Sequence, residues 1–169
     1  RNQIGNLPTR FYRKRQQRIF NTGLAGINVT RTRAYQAADI IHLHWINGLV
    51  AMRALRRIDK PMVWTMRDMW PLTGGCHYAL DCDRYEAGCG RCPQLASKRR
   101  WDLSRAVVSA KRAGIPSGLQ VVGISDWLSD CARRSEVFSG HQVRTISNNI
   151  DTRLFSPLPT QVARQALNL

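Results

Sequence analysis

The chain has 169 residues, enough to bury a real core in one domain and too few for two comfortable ones. Its 26 Lys and Arg against 11 Asp and Glu leave a net charge of +15, so acidic surroundings are expected: nucleic acid, an anionic membrane face or phosphorylated substrates. It begins at Arg1, has no signal-peptide pattern and no apolar run near the ~20 residues that cross a bilayer, and reads as a soluble piece of something longer.

The basic bias is uneven. Arg1, Arg10, Arg13, Lys14, Arg15, Arg18, Arg31 and Arg33 all precede the first acid, Asp39. A solvated face explains such a run, and so does attraction to anionic headgroups or nucleic acid, since a basic amphipathic segment is drawn to any polyanion. Residues 8–20 are predicted helical, with Pro8 in the first turn and Phe11, Ile19 and Phe20 as apolar points. Asp39 to His44 is a predicted strand, and Asn47 a predicted cap for a helix carrying Leu49, Met52, Leu55 and Ile58 on one face. Met62 to Met66, short, apolar and preceded by Pro61, is the next strand.

Residues 74–101 form a Gly- and Cys-rich irregular loop, too long for an ordinary connection and hence functional or internally cross-linked. Asp102 then caps a predicted helix with Leu103, Ala106, Val107 and Ala110 as its stripe and Gly114 as its stop. Leu119 to Ile124 is a strand, and Ser125 caps a helix that buries Leu128, Cys131 and Ala132. Gln142 to Ile146 is a weaker strand, followed by a polar turn over 147–151 and a short helix after Pro159. Strands alternating with helices predict an α/β fold, a parallel sheet with helices on both faces. Residues 1–35 are its basic, partly helical lead-in and residues 36–169 its body.

In a parallel sheet the strands' carboxyl ends share one edge, where ligands bind. The expected exits carry His44, Trp45 and Asn47; Arg67 and Asp68; Ser125 and Asp126; and Asn148, Asn149 and Asp151. Each set alone has an ordinary explanation, because Ser, Asp and Asn cap helices and a single His is commonly structural. Together they point to a polar ligand. Asp68 is a candidate base or sugar-hydroxyl acceptor and Arg67 a candidate clamp for phosphate or carboxylate, with a mutual ion pair as the plain alternative. Gly74 and Gly75 either let backbone amides approach a ligand or simply make a tight turn. Trp45 and Trp70 offer platforms for a sugar ring, or else core packing.

Cys76, Cys82, Cys89 and Cys92 follow the spacing C-x5-C-x6-C-x2-C, with Cys131 apart on a predicted helix. One CxxC knuckle and two outlying thiols suit a tetrahedral structural zinc, which would order a segment that apolar burial cannot. Disulfides and unligated thiols are the other readings, and nothing points to secretion. His77, beside Cys76, is the one substitute ligand.

The segment WTMRDMWPLTGGCHY, the cysteines that follow it with CGRCPQL, and DIIHLHW upstream resemble group 1 (family 4) bacterial glycosyltransferases of the capsule and exopolysaccharide type. VVGISDWLSDCARRS is similar to the family's VxPSxWL strand and helix, and TISNNIDTRLFSP to its IPNGIDTxxFxP segment. The resemblance spans roughly residues 36–169. It implies the first, acceptor-side half of a GT-B architecture, two Rossmann-like domains face to face, with transfer that retains anomeric configuration and uses no cofactor in catalysis. It also implies partners: a nucleotide-sugar donor held by a second domain missing from this chain, and a glycan or lipid-linked acceptor. The implied location is cytoplasmic, peripheral on the inner membrane face, where anionic lipid is at hand.

From the strand exits and the resemblance together, Asp68 and Arg67 are the candidate catalytic groups, and His44, Trp45, Asn47, Trp70, Gly74, Gly75, Ser125 and Asn148 the candidate substrate contacts. The sequence departs from the family pattern at Arg67, where relatives carry the His of T-x-H-D, at Ser147 for Pro and at Asn149 for Gly. Asp68, Trp70, Gly74 and Gly75 match. The expected function is thus the acceptor-binding domain of a hexosyltransferase-type enzyme of surface polysaccharide synthesis, inactive without its donor-binding half and working by positioning and electrostatics. The alternatives are a non-catalytic remnant of such an enzyme and a zinc-stabilised basic nucleic-acid-binding module. Nucleic acid explains less, because Lys and Arg are spread along the chain and the aromatics sit beside strand ends.

Overall fold

The computed structural model describes the chain from residue 2 onward, so Arg1 of the basic lead-in lies outside the described residues. A short helix α1 (Asn2–Gly5) and helix α2 (Arg33–Ala37) precede the sheet. Strands β1 (Ile41–Leu43) and β2 (Met62–Met66) are joined through a three-ten turn, Met52–Arg57. Helix α3 (Leu103–Gly114) leads to β3 (Gln120–Gly123), α4 (Asp126–Arg134) to β4 (Val143–Thr145), and α5 (Thr160–Ala166) ends the chain. The four strands are all parallel, in the order β1-β2-β3-β4. This is the Rossmann-like α/β arrangement expected from the alternation of strands and helices.

β2 pairs with a strand on each side, and its side chains alternate cleanly. Met62, Trp64 and Met66 are buried, while Val63 and Thr65 are partly exposed. Trp64 pairs in register with Leu43 on one side and Val121 on the other. Its ring meets Phe138 edge-on at 6.1 Å and lies 6.3 Å from Trp70, and its Nε1 donates to the His44 carbonyl at 3.0 Å. An indole this deep needs that acceptor. Met52 and Leu55, both fully buried, bring the 52–57 turn against α3. Gly114 sits at the closest approach, where an added Cβ would stand 2.3 Å from the Met52 carbonyl oxygen. It is therefore a packing residue at the end of α3, not a left-handed stop.

On one face of the sheet His42, Val63, Thr65 and Arg144 are partly or fully exposed, while Val122, in register with Thr65 and Arg144, is buried.

Other expectations shift in detail. In place of the predicted 8–20 helix there is a short three-ten helix, Leu7–Phe11; Phe11 and Ile19 are 87% and 67% exposed while Phe20 is buried. No common apolar face exists to hold a helix there. The helix predicted after Asn47 is replaced by the Met52–Arg57 turn, which has no side-chain cap. α3 buries Ser104, Val107, Val108, Lys111 and Gly114, a stripe that shares only Val107 with the one predicted. Its cap is as expected, Asp102 accepting from the amides of Ser104 and Arg105, and so is that of α4, where Ser125 accepts from Leu128 N.

Candidate functional site

At the carboxyl edge of β2 the backbone leaves the sheet through Arg67 and Asp68, and an open cleft of about 670 Å³ lies there. Arg18, Ile19, Trp45, Arg67, Asp68, His77 and Gln94 are among the residues that line it. The N-terminal segment supplies the first two of these, the β1 exit supplies Trp45, and the Cys-rich loop supplies His77 and Gln94.

Asp68 does not pair with Arg67. Its Oδ1 accepts from Trp70 N at 2.9 Å and its Oδ2 lies 2.6 Å from His77 Nδ1. The carboxylate is thereby locked in one orientation, with its side chain 15% exposed toward the cleft. A carboxylate oxygen accepts and an amide nitrogen donates, so the contacts fit Nδ1–H donating to Asp68 and Nε2 accepting. Nε2 faces the side-chain nitrogens of Asn21 and Asn47, each at 3.1 Å. Asn21 is oriented in turn by Asn6, whose Nδ2 donates to Asn21 Oδ1 at 2.6 Å. A chain of neutral amides thus holds His77, and His77 holds Asp68.

Two acceptors in this neighbourhood have no hydrogen-bond partner among the described residues: Asn47 Oδ1 and Gln94 Oε1. Gln94 is 9% exposed and lines the cleft, with its amide nitrogen committed to the Tyr78 carbonyl at 3.0 Å. Buried unpartnered acceptors are costly unless a donor arrives from outside.

The remaining expected contacts divide. Trp45 is 66% exposed and stands edge-on to His77 at 6.0 Å, so it is available as a platform. Arg67 donates to Asn148 Oδ1 at 2.9 Å, which brings the β4 exit to the same edge. Asn47 reaches the site through His77 and not as a helix cap. His44 lies outside the cleft, its ring 4.2 Å from that of His42 and tilted to it by 41°. Partial desolvation, then His42 and Arg67, push its pKa down.

Trp70, Gly74 and Gly75 are corrected. Trp70 is 1% exposed, its Nε1 donating to the Asn21 carbonyl at 2.7 Å, so its ring belongs to the core and offers no platform. Gly74 is buried where an added Cβ would meet Ser104 O at 2.5 Å, and Gly75, with φ of +135°, packs within 2.5 Å of the Phe20 ring by the same measure. Close packing of the loop on α3 and Phe20 explains both, and neither amide faces the cleft. Ser125 is the α4 cap and does not line the cleft. His77 is the residue that sequence reasoning missed, having weighed it only as a metal ligand; its partner Asp68 lies nine positions away across an irregular turn.

Behind the loop, Lys111 is fully buried under the Trp70 ring, 4.1 Å from its centroid, and donates to the carbonyls of Thr73, at 2.8 Å, and Trp70. Burial pulls its pKa down to about 7, against the opposing pull of Cys76, Cys89 and Asp68. The five cysteines are free. Burial pushes the thiols of Cys76, Cys89 and Cys92 up, Cys89 to about 12 and Cys92 to about 11.

No protein-family model matches the chain, and no solved structure matches it. Over 153 residues it is 27% identical to WcaC of Escherichia coli (strain K12), a protein named as a colanic acid biosynthesis glycosyl transferase. The match covers 79% of this chain and 37% of that protein, so the chain spans little more than a third of its relative's length. The chain is therefore related in sequence to a protein named as a glycosyl transferase, and its parallel α/β sheet agrees with that relationship.

Proposed function

We propose that this chain is the acceptor-side domain of a glycosyltransferase of surface polysaccharide synthesis. The observation that carries the reading is the Asp68–His77 pair at the carboxyl edge of β2, beside an unpartnered buried Gln94 oxygen in a cleft with one exposed indole. The similarity to WcaC supports the reaction class. In this reading Asp68 accepts the attacking hydroxyl of the glycan acceptor, and Gln94 Oε1 takes a second hydroxyl. Trp45 lies along the sugar ring, and Arg67 at the mouth faces a phosphate of the donor or of a lipid-linked acceptor. His77 positions Asp68. Catalysis then consists of holding the hydroxyl against the anomeric carbon while cations stabilise the departing diphosphate.

The donor is a nucleotide-sugar bound by a second α/β domain, of which the described residues contain no part, in a GT-B arrangement that retains anomeric configuration. Residues 36–169 form the acceptor domain and 1–35 a basic lead-in toward an anionic membrane surface at the cytoplasmic side.

The test is turnover with nucleotide-sugar donors and a lipid-linked or glycan acceptor. The chain alone is expected to transfer nothing, because donor phosphates and acceptor hydroxyl meet only when both domains close. A protein that continues this chain with a donor-binding domain is expected to form product. Failure of the continued protein with every donor, together with sequence-selective nucleic-acid binding that withstands physiological salt, would transfer the chain to the binding-module class.

A further inference from the structure

Four thiols that the cleft does not use share a second, much smaller space. Cys76, Cys82, Cys89 and Cys92 all line one cavity of about 20 Å³, and Cys131 does not. That volume admits a single occupant the size of a water molecule or an ion.

The loop that carries them has little regular structure. Between residues 74 and 101 the only regular element is the turn Arg84–Ala87; one isolated bridge, Phe20 to Cys76, and scattered hydrogen bonds such as Gln16 N to Gln94 O and Cys92 N to Asp102 Oδ2 tie it to the rest. Leu80, Cys89, Arg91 and Ala96 take positive φ although none is glycine, a conformation that side-chain-bearing residues resist. The cysteines also sit on a seam. Cys82 and Cys89 pack on the main core, while Cys76 and Cys92 belong to a separate small cluster with Phe20 and Leu95. A single bond centre joining the four would close the loop and weld the two clusters.

Lys111 gives the second, independent observation. Its ammonium is fully buried and held by carbonyl oxygens alone, with no carboxylate paired to it among the described residues. A buried charge without a counter-charge is among the most costly features a core can hold. Four thiolates around a divalent ion leave a net negative charge, the counter-charge that Lys111 lacks.

We propose that Cys76, Cys82, Cys89 and Cys92 close on one zinc ion, with Lys111 as its buried counter-charge. Among the described residues no three His, Cys, Asp or Glu side chains are already drawn together to hold an ion. The site therefore completes itself by side-chain rotation about the shared cavity. Each thiol releases its proton to solvent as its sulfur binds, so four protons leave as one ion enters. Four protein ligands leave no position for water or substrate, which makes the site structural. It braces His77, the neighbour of Cys76, and through His77 the carboxylate of Asp68, but it stands whatever the chain acts on.

The test is metal analysis of the full chain purified without chelator. About one zinc per chain is expected, and replacing the zinc by cobalt should give the intense charge-transfer bands of a tetrahedral tetrathiolate. Cys89→Ser should lose the metal and Cys131→Ser should keep it. Because a ligand variant can simply fail to fold, Lys111→Met provides a second readout. It preserves length and apolar bulk, and is expected to weaken zinc affinity by about 10–100-fold, the range for groups that support a metal's ligands. Folded protein with no stoichiometric metal, pairing of these cysteines as disulfides under reducing conditions, an octahedral cobalt spectrum, or unchanged affinity in Lys111→Met would each overturn the proposal.

Discussion

Replacing Asp68 by Asn, in a protein that carries this chain and transfers sugar, is expected to lower kcat/KM by about 10²-fold or more, the range for a positioned acid or base. The substitution keeps the shape of the side chain and removes its charge. It also turns one of two acceptors into a donor, so the group at Oδ2 can no longer both receive the His77 proton and face an acceptor hydroxyl. Trp70 N still finds its partner at the other oxygen, and folding should survive. His77→Ala should cost less than Asp68→Asn, because it frees the carboxylate to turn without removing it. Thermal melting of both variants separates lost chemistry from lost structure. A loss below about threefold in a well-folded Asp68→Asn protein would assign the residue to the turn at the end of β2 alone.

The largest effect on stability is expected at Trp64. Its side chain is fully buried, spans the space between Trp70 and Phe138, and donates to the His44 carbonyl. Trp64→Ala leaves a cavity that its neighbours cannot fill and an orphaned carbonyl, at a cost of about 3–5 kcal/mol. Domains of this size hold only about 5–15 kcal/mol in all, so the variant should show a sharply lower denaturant midpoint or no cooperative transition. Trp64→Phe keeps most of the volume and should fall between. Because β2 ends in Arg67 and Asp68, a weakened Trp64 also loosens the cleft, and activity should fall with stability. A Trp64→Ala loss of under ~1 kcal/mol would mean that the sheet is held elsewhere than at β2.

What the sequence made legible was what local chemistry decides. Met62–Met66 alternates apolar and half-apolar residues after a proline, and it is a strand with those bounds. Asp102 and Ser125 cap the helices that follow them because an N-cap bonds to amides two or three residues away. Misreadings occur where a long-range partner wins. Asn47 looks like a cap, but His77, thirty positions on, takes its amide. α3 turns a different face inward because Lys111 reaches the carbonyls of Trp70 and Thr73, which no hydrophobic periodicity could announce. Trp45 and Trp70 are alike in sequence as strand-end indoles, yet one is 66% exposed and the other 1%. Gly74 and Gly75 are glycines because Ser104 and the Phe20 ring press on them, a contact made across the fold. At the site, Asp68 and Arg67 were visible as the residues leaving β2, while His77 was hidden because an irregular loop carries no period from which its direction could be read.

The most direct measurement of the central claim is a titration of the 169-residue chain with acceptor oligosaccharides, followed by NMR of backbone amides and tryptophan indoles. Transfer need not occur for binding to be seen. The account predicts saturable shifts centred on Trp45, Asp68, His77 and Gln94, lost in Asp68→Ala and little affected by salt. Shifts confined to the basic residues 10–18, or saturable binding that ignores Asp68 and Trp45, would contradict it.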